Sequence, residues 1–356
     1  MAFIELDDIA KSFGSKPALD GVSLAIERGE TLAVFGPSGV GKTVLLRLLA
    51  GIMEPDRGDI RIGGASLLGV PPERREVAMA FQNFALYPHL TAFENIASPL
   101  RARQLDETQM KRRVGEIASL LRIDHVLDHL PRALSNGQKQ RTALARSLVR
   151  APAVLLLDDP LRNVDAKLRY EMRLELPRLF KRFGSTALYV TQDYREAMAL
   201  GDRIAILLDH RLRQLGTPAE IYNHPADQRV ARLFGDPPIN LLPARVEASG
   251  GGATVRLFGQ TLALRHRPVP AASGWDCLVG IRPEDVELSS EPIDGTAPFR
   301  LRATTPFSVR TALLLAGADG GELIASTTNP PAAETLWARF DLGRAVLFDA
   351  ATGTAL

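Results

Sequence analysis

The chain has one cysteine, Cys277, in 356 residues, which rules out an internal disulfide and fits a reducing compartment. It also lacks an excess of either charge. Lys and Arg number 43 and Asp and Glu 41, so the net charge is +2 and there is no electrostatic case for nucleic acid. No uninterrupted apolar run approaches the ~18–20 residues of a membrane helix, so any membrane role has to come through a partner. The start, Met1-Ala2-Phe3-Ile4-Glu5-Leu6-Asp7-Asp8, has neither the basic nor the apolar segment of a secretory signal. A soluble, cytoplasmic chain is the expectation. Histidine is scarce too: of six, only His125 and His129 are spaced like ligands, with no Glu directly after the first and no third ligand evident. A zinc site is therefore not expected. What the length does supply is room for two domains and a sizeable core.

The densest signal is Gly36-Pro37-Ser38-Gly39-Val40-Gly41-Lys42-Thr43, the pattern G-x-x-x-x-G-K-[ST]. Thr31 to Phe35, just before it, is a short apolar run of buried-strand type. Val44 to Ala50, just after it, is helix-compatible and closed by Gly51 at C′. Glycines let the backbone curl round an anion with its N–H groups inward, and the helix N-terminus adds positive potential. Lys42 then reaches the β- and γ-phosphates, and the Thr43 hydroxyl sits on Mg²⁺. The chain reads as nucleotide-binding.

Residues 2–35 carry alternating positions and turn signals that predict several short antiparallel strands, with Phe13 as a core residue on pattern alone. Val77 to Phe81 predicts another strand, ending at Gln82. Thr91-Ala92-Phe93-Glu94 is a capping-box pattern, and residues 94–130 read as helical with solvated charged faces. Leu134-Ser135-Asn136-Gly137-Gln138 opens a helix running to Val149. Ser135 and Gln138 form a capping box by themselves, and the same helix N-terminus suits an anion; spacing leaves both readings open. Ala153 to Leu157 predicts a buried strand ending in Asp158-Asp159, where a parallel sheet presents its ligands. Asp158 is the candidate Mg²⁺ ligand and Asp159 the group near the attacking water. Asp165 precedes a helix from about Ala166 to Phe183. Pro177 interrupts it, and since an interior proline costs ~3 kcal/mol, a kink one turn earlier is expected. Strands at Ala187 to Thr191 and Arg203 to Leu208 complete a parallel α/β domain. Beyond Gly235-Asp236-Pro237-Pro238 the chain turns to short alternating stretches with many Gly and Pro, as in a small all-β barrel or sandwich. Trp275, Cys277 and Trp337 are its expected core residues.

Together these stretches resemble the ATP-binding subunit of an ABC transporter over nearly the whole chain. The phosphate loop is similar to the family's Walker A, Leu134 to Gln138 to its signature, and Val154 to Asp159 to its Walker B. Gln82 resembles the Q-loop glutamine, Asp165 the D-loop aspartate, and Gln192 stands at the switch position. Phe13 matches the aromatic that stacks on adenine. Phe84 to Thr91 and Gly280-Ile281-Arg282-Pro283-Glu284-Asp285 resemble the carbohydrate importers that carry a C-terminal OB-like domain, a group that includes importers of maltose-type sugars, glycerol phosphate and polyols. The resemblance implies a P-loop, RecA-like parallel sheet with antiparallel β and helical subdomains (the latter about 84–150) over residues 1–236, and an OB-like domain over 237–356. It implies ATP and Mg²⁺, with nucleotide contacts from Gly36 through Val44, Gln82, Ser135, Gly137, Gln138 and Asp165. The metal would be held by Thr43, Gln82 and Asp158. Two ATPase subunits would pair head to tail, each ATP lying between one phosphate loop and the other signature. The further partners implied are two membrane permeases and, through them, a periplasmic solute-binding protein. The implied location is the cytoplasmic face of the inner membrane, as a peripheral subunit.

Three positions depart from that pattern: Asp159 for the usual catalytic glutamate, Gln192 for the switch histidine, Asn136 for the first signature glycine. Asp is one methylene short, and misplacing a reacting group by ~1 Å can cost on the order of 10²-fold. Gln192 can hydrogen-bond a phosphate but cannot exchange a proton as His does. Both weakened groups belong to the ATP site on this chain's own phosphate loop. The expectation is the degenerate half of an asymmetric ATPase pair, with a slow-hydrolysing homodimer as the alternative. A non-transport ABC ATPase or a regulatory subunit is the alternative of another class.

Overall fold

The computed structural model describes residues 2–81, 83–102, 104–162, 164–249, 252–264, 274–307 and 309–356. Gln82, expected in the site, lies outside them. The chain forms two compact units, Met1–Pro218 and Ala219–Leu356.

In the first unit, β1 (Ile4–Phe13) and β2 (Lys16–Ile26) pair antiparallel, and β1 also pairs with β4 (Arg57–Ile62), which carries the short β5 (Ala65–Ser66) at its edge. The strands β3 (Thr31–Phe35), β6 (Val77–Ala80), β7 (Val154–Asp158), β8 (Thr186–Thr191), β9 (Arg203–Leu208) and β10 (Arg211–Gly216) form a second sheet in the order β10-β9-β3-β8-β7-β6. It is parallel except for β10. All residues of β3, β7 and β8 are buried, as strands covered on both faces must be. Of the short antiparallel strands expected over residues 2–35, the antiparallel pairing of β1 with β2 is present and the shortness is corrected. The first two are long, and the third leaves them for the parallel sheet because its five residues have no polar face to show water.

Register then positions the site. Phe35 lies opposite Thr191 and Asp158 opposite Val190, so the chain leaves β3, β7 and β8 at one level. The phosphate loop, Asp159 and Gln192 follow directly. Three adjacent strands deliver their carboxyl ends to one crevice.

Helix α1 (Lys42–Leu49) starts two residues earlier than its apolar run and ends as a Schellman motif, with Gly51 N–H donating to Leu48 O and Ile52 N–H to Arg47 O. The charged stretch 94–130 is not one helix. It splits into α2 (Ala92–Arg101) and α3 (Glu107–Leu120), because Asp106 takes the N-cap and accepts from Gln109 N–H. Next come α4 (Asn136–Leu148) and α5 (Ala166–Phe183). Pro177 does not interrupt α5: one missing N–H is outweighed where Leu176, Leu179 and Phe180 are buried beside it. Short helices α6 (Tyr194–Leu200), α7 (Pro218–Asn223) and α8 (Gln228–Leu233) follow.

The second unit's strands are β11 (Asn240–Ser249), β12 (Gly252–Leu257), β13 (Gln260–Leu264), β14 (Trp275–Ile281), β15 (Val286–Ser289), β16 (Ala297–Phe307), β17 (Arg310–Gly317), β18 (Glu322–Thr327), β19 (Thr335–Phe340) and β20 (Val346–Asp349). They make two five-stranded antiparallel sheets, β13-β12-β11-β14-β20 and β15-β19-β16-β17-β18. The core includes Phe258 edge-on to Phe299 at 4.8 Å and stacked on Phe340 at 5.8 Å. Cys277 is buried in it and Trp275 packs against it. Trp337 does not join: on β19 the inward positions are Leu336, Ala338 and Phe340, so period two turns Trp337 to the opposite face.

Candidate functional site

The phosphate loop is held by its own lysine. Lys42 is buried, and its Nζ donates to Gly36 O and Pro37 O at 2.7 Å each, so the loop curls around the ammonium. Burial pulls the Lys42 pKa below the ordinary lysine value, while Asp159 and Asp158 oppose the shift. Gly41 enters α1 in the left-handed region at φ 104°. A Cβ there would lie 2.1 Å from Ala18 O, so only glycine fits. Among the described residues no side chain caps α1, and no acid stands in its first turn. Its first N–H groups are therefore left for an external anion. Ser38 and Gly39 are exposed, Val40 is buried under the loop, and Val44 packs toward the core beneath.

These groups border a cavity of about 620 Å³. Thr43 Oγ1 donates to Asp158 Oδ1 at 3.0 Å across it, joining the start of α1 to the end of β7. Both are hard oxygen donors. Among the described residues no three His, Cys, Asp or Glu side chains cluster as a metal cage. A hydroxyl and a carboxylate suit a small divalent cation that takes its other ligands from phosphate and water. Asp159 adopts φ 47° and is 7% exposed, with its N–H on Val190 O at 2.9 Å. Burial raises the carboxyl pKa of Asp158 and of Asp159, countered at Asp158 by the Thr43 hydroxyl and at Asp159 by Arg162. Gln192 and Phe13 also line the cavity, and Phe13 is 52% exposed at the end of β1. That exposure removes the core reading of Phe13.

Ser135, Gly137, Gln138 and Asp165 are brought together elsewhere, around a second cavity of about 640 Å³ that shares no lining residue with the first. The capping box is present. Ser135 Oγ accepts from Gln138 N–H at 3.3 Å and Gln138 Oε1 from Ser135 N–H at 2.9 Å. Asp165 caps α5, accepting from Leu168 N–H at 3.0 Å.

Lys16, Pro17, Ala18, His210 and Arg162 also line the first cavity and do not stand out from the sequence. Arg162 lies 3.6 Å from Asp159 Oδ2. The signal was its place three residues beyond Asp159, in the turn that leaves β7.

Comparison with known proteins fits this geometry. Residues 19–162 match the family model "ABC transporter" and residues 235–286 the "MalK OB fold domain". The sn-glycerol-3-phosphate import ATP-binding protein UgpC of Cereibacter sphaeroides is 41% identical over 361 residues, covering 100% of both chains. The chain belongs to the ABC transporter ATP-binding subunits. The trehalose/maltose import ATP-binding protein MalK of Thermococcus litoralis is 43% identical over 296 residues, 80% of this chain and 79% of that protein. The dimeric bacterial ABC transporter cassette MJ0796 superposes with TM-score 0.57 at 29% identity, over 60% of this chain and 98% of that one. The same cassette in a post-hydrolysis state bound to ADP and Pi gives 0.56. The subunit is thus an ABC-type ATPase that binds ATP, with an all-β OB-fold domain of MalK type following it. Among the described residues no helix is long and apolar enough to cross a membrane.

Proposed function

We propose that the subunit energises import of a sugar, polyol or glycerol-type solute, as the half of an asymmetric ATPase pair whose own site hydrolyses slowly or not at all. The observation that carries the asymmetry is that Asp159 and Gln192, both departures from the family pattern, line one cavity with the phosphate loop. The solute class rests on relatives named for sn-glycerol-3-phosphate and trehalose/maltose import.

In this reading Phe13 stacks on adenine, Lys42 exchanges its two loop carbonyls for the β- and γ-phosphates, and the N–H groups of residues 39–44 cradle them. Thr43 and Asp158, with Gln82, would hold Mg²⁺, which would supply neutralisation of the phosphate charge. Asp159 is the carboxylate nearest the attacking water but one methylene short, and Gln192 contacts the γ-phosphate without proton exchange. Ser135, Gly137, Gln138 and Asp165 serve the partner subunit's ATP across the dimer. Residues 1–236 form the ATP-binding domain, with 84–150 as its helical part against two permeases at the cytoplasmic face of the inner membrane. Those permeases connect it to a periplasmic solute-binding protein. Residues 237–356 form the regulatory domain.

The test is steady-state Mg·ATPase of the purified chain against its own concentration, with ATP binding measured in parallel. Tight binding without turnover is the expected result. Turnover rising with the square of concentration would establish a working homodimer instead, a reading favoured by the carboxylate and hydrogen-bonding amide that still face the cavity.

A further inference from the structure

Arg162 has no part in the scheme above, yet it occupies the same cavity. Its backbone is fixed. Leu161 beside it is 1% exposed, its own N–H bonds Asp159 O at 3.2 Å, and the Arg169 guanidinium donates to its carbonyl and to that of Val164. Its side chain is not fixed. It is half exposed, and among the described residues its guanidinium has Asp159 Oδ2 as partner at 3.6 Å, too far for a direct hydrogen bond. Asp159 Oδ2 is itself buried, with no hydrogen-bond partner among the described residues. The Lys42 ammonium feels Arg162 as a like charge, so two cations converge where two buried carboxylates already stand. A loose ion pair flanked by a second cation is an arrangement awaiting an anion.

We propose that Arg162 binds the terminal, γ-phosphate of a nucleoside triphosphate on this chain's own phosphate loop, exchanging its pairing with Asp159 for one with the phosphate. This rests on the reading of the phosphate loop as the ATP site. The terminal phosphate is singled out because Arg162 adjoins Asp159 and interacts with Lys42, at the end of the cavity where the chain leaves β7. A guanidinium offers a planar fork that suits phosphate oxygens, and a dianionic terminal group satisfies it better than one buried carboxylate oxygen. ADP lacks the γ-phosphate, places no phosphate at that position, and leaves the Arg162–Asp159 pair in place. The residue thus confers preference for the triphosphate, as a site kept for clamping ATP requires.

The test is equilibrium binding of a non-hydrolysable ATP analogue and of ADP to the full chain, as wild type, Arg162→Ala, Arg162→Lys and Lys42→Ala. Arg162→Ala is expected to weaken the triphosphate roughly 10- to 100-fold, the range of a lost charged hydrogen bond, and ADP less than about twofold. Arg162→Lys should recover part of the loss, and Lys42→Ala should weaken both nucleotides. An unchanged triphosphate-to-diphosphate ratio in Arg162→Ala would overturn the proposal, whether both affinities stayed or both fell. A wild-type chain that bound neither nucleotide would overturn the ATP reading itself, and this proposal with it.

Discussion

Two helices of the ATP-binding unit begin at candidate anion sites, and they begin in opposite ways. α1 follows a left-handed glycine, carries no side-chain cap from the described residues and leaves its first N–H groups open, with the Lys42 ammonium turned back into the loop. α4 is closed by a reciprocal Ser135–Gln138 box before any ligand arrives. An open N-terminus is incomplete until an anion supplies acceptors, whereas a boxed one is a stable helix end that can also receive one. The difference matches the roles proposed for them. One holds this chain's own nucleotide, and the other has to stand unaided until a partner brings its nucleotide across.

The sharpest way to break the comparison is at Gly41. Gly41→Ala forces a Cβ to 2.1 Å from Ala18 O in a backbone at φ 104°, so the loop must rebuild. The expected cost is on the order of 3 kcal/mol together with loss of ATP binding, read by thermal unfolding and equilibrium binding. Binding retained at wild-type affinity would mean that the open end of α1 is not what captures the phosphates.

Next in size is the chemistry beside that open end. Restoring Asp159→Glu together with Gln192→His should raise ATP turnover by roughly 10- to 100-fold, since it returns the missing methylene and a proton-exchanging ring. The measurement is Mg·ATPase at fixed nucleotide saturation. No gain at all would remove the account given for these two positions.

How far the sequence already carried this site depends on what each residue needs. The phosphate loop was legible because an anion cradle demands particular backbone freedom at fixed spacing, and Gly41 meets that demand through its conformation. Asp158 and Asp159 were legible as acids ending a wholly apolar strand, and parallel register then set Asp158 opposite Val190 on β8, whose other neighbour β3 ends at Phe35 opposite Thr191. Arg162 was not, because its aim depends on the turn after β7, where Asp159 sits at φ 47° and Leu161 is buried as an anchor. The split between α2 and α3 was hidden for another reason: charged residues continue through it, and only the N-cap bond from Asp106 to Gln109 marks the new start. Trp337 was misplaced by its size, although the alternation of Leu336, Ala338 and Phe340 around it contained the answer.

The smallest effect separates two boxes that look alike. α2 opens with Thr91 and Glu94, α4 with Ser135 and Gln138, and both boxes are fully formed. Ser135→Ala should cost about 1 kcal/mol of stability, as lost N-caps do, and the same amount at every pH, since neither partner titrates. Glu94 differs. Hydrogen bonds from the Thr91 backbone and hydroxyl hold its carboxyl below the usual glutamate value of 4.5. A carboxylate whose folded pKa is depressed adds stability above the unfolded value and loses it as pH falls through the folded one. The Thr91–Glu94 box should therefore weaken only below pH 4.5, with the loss absent in Glu94→Gln. Thermal melting of wild type, Ser135→Ala and Glu94→Gln from pH 7 down to about pH 3 checks this. If the wild-type curve fell no faster than that of Glu94→Gln, the box at α2 would be no more ionic than the box at α4.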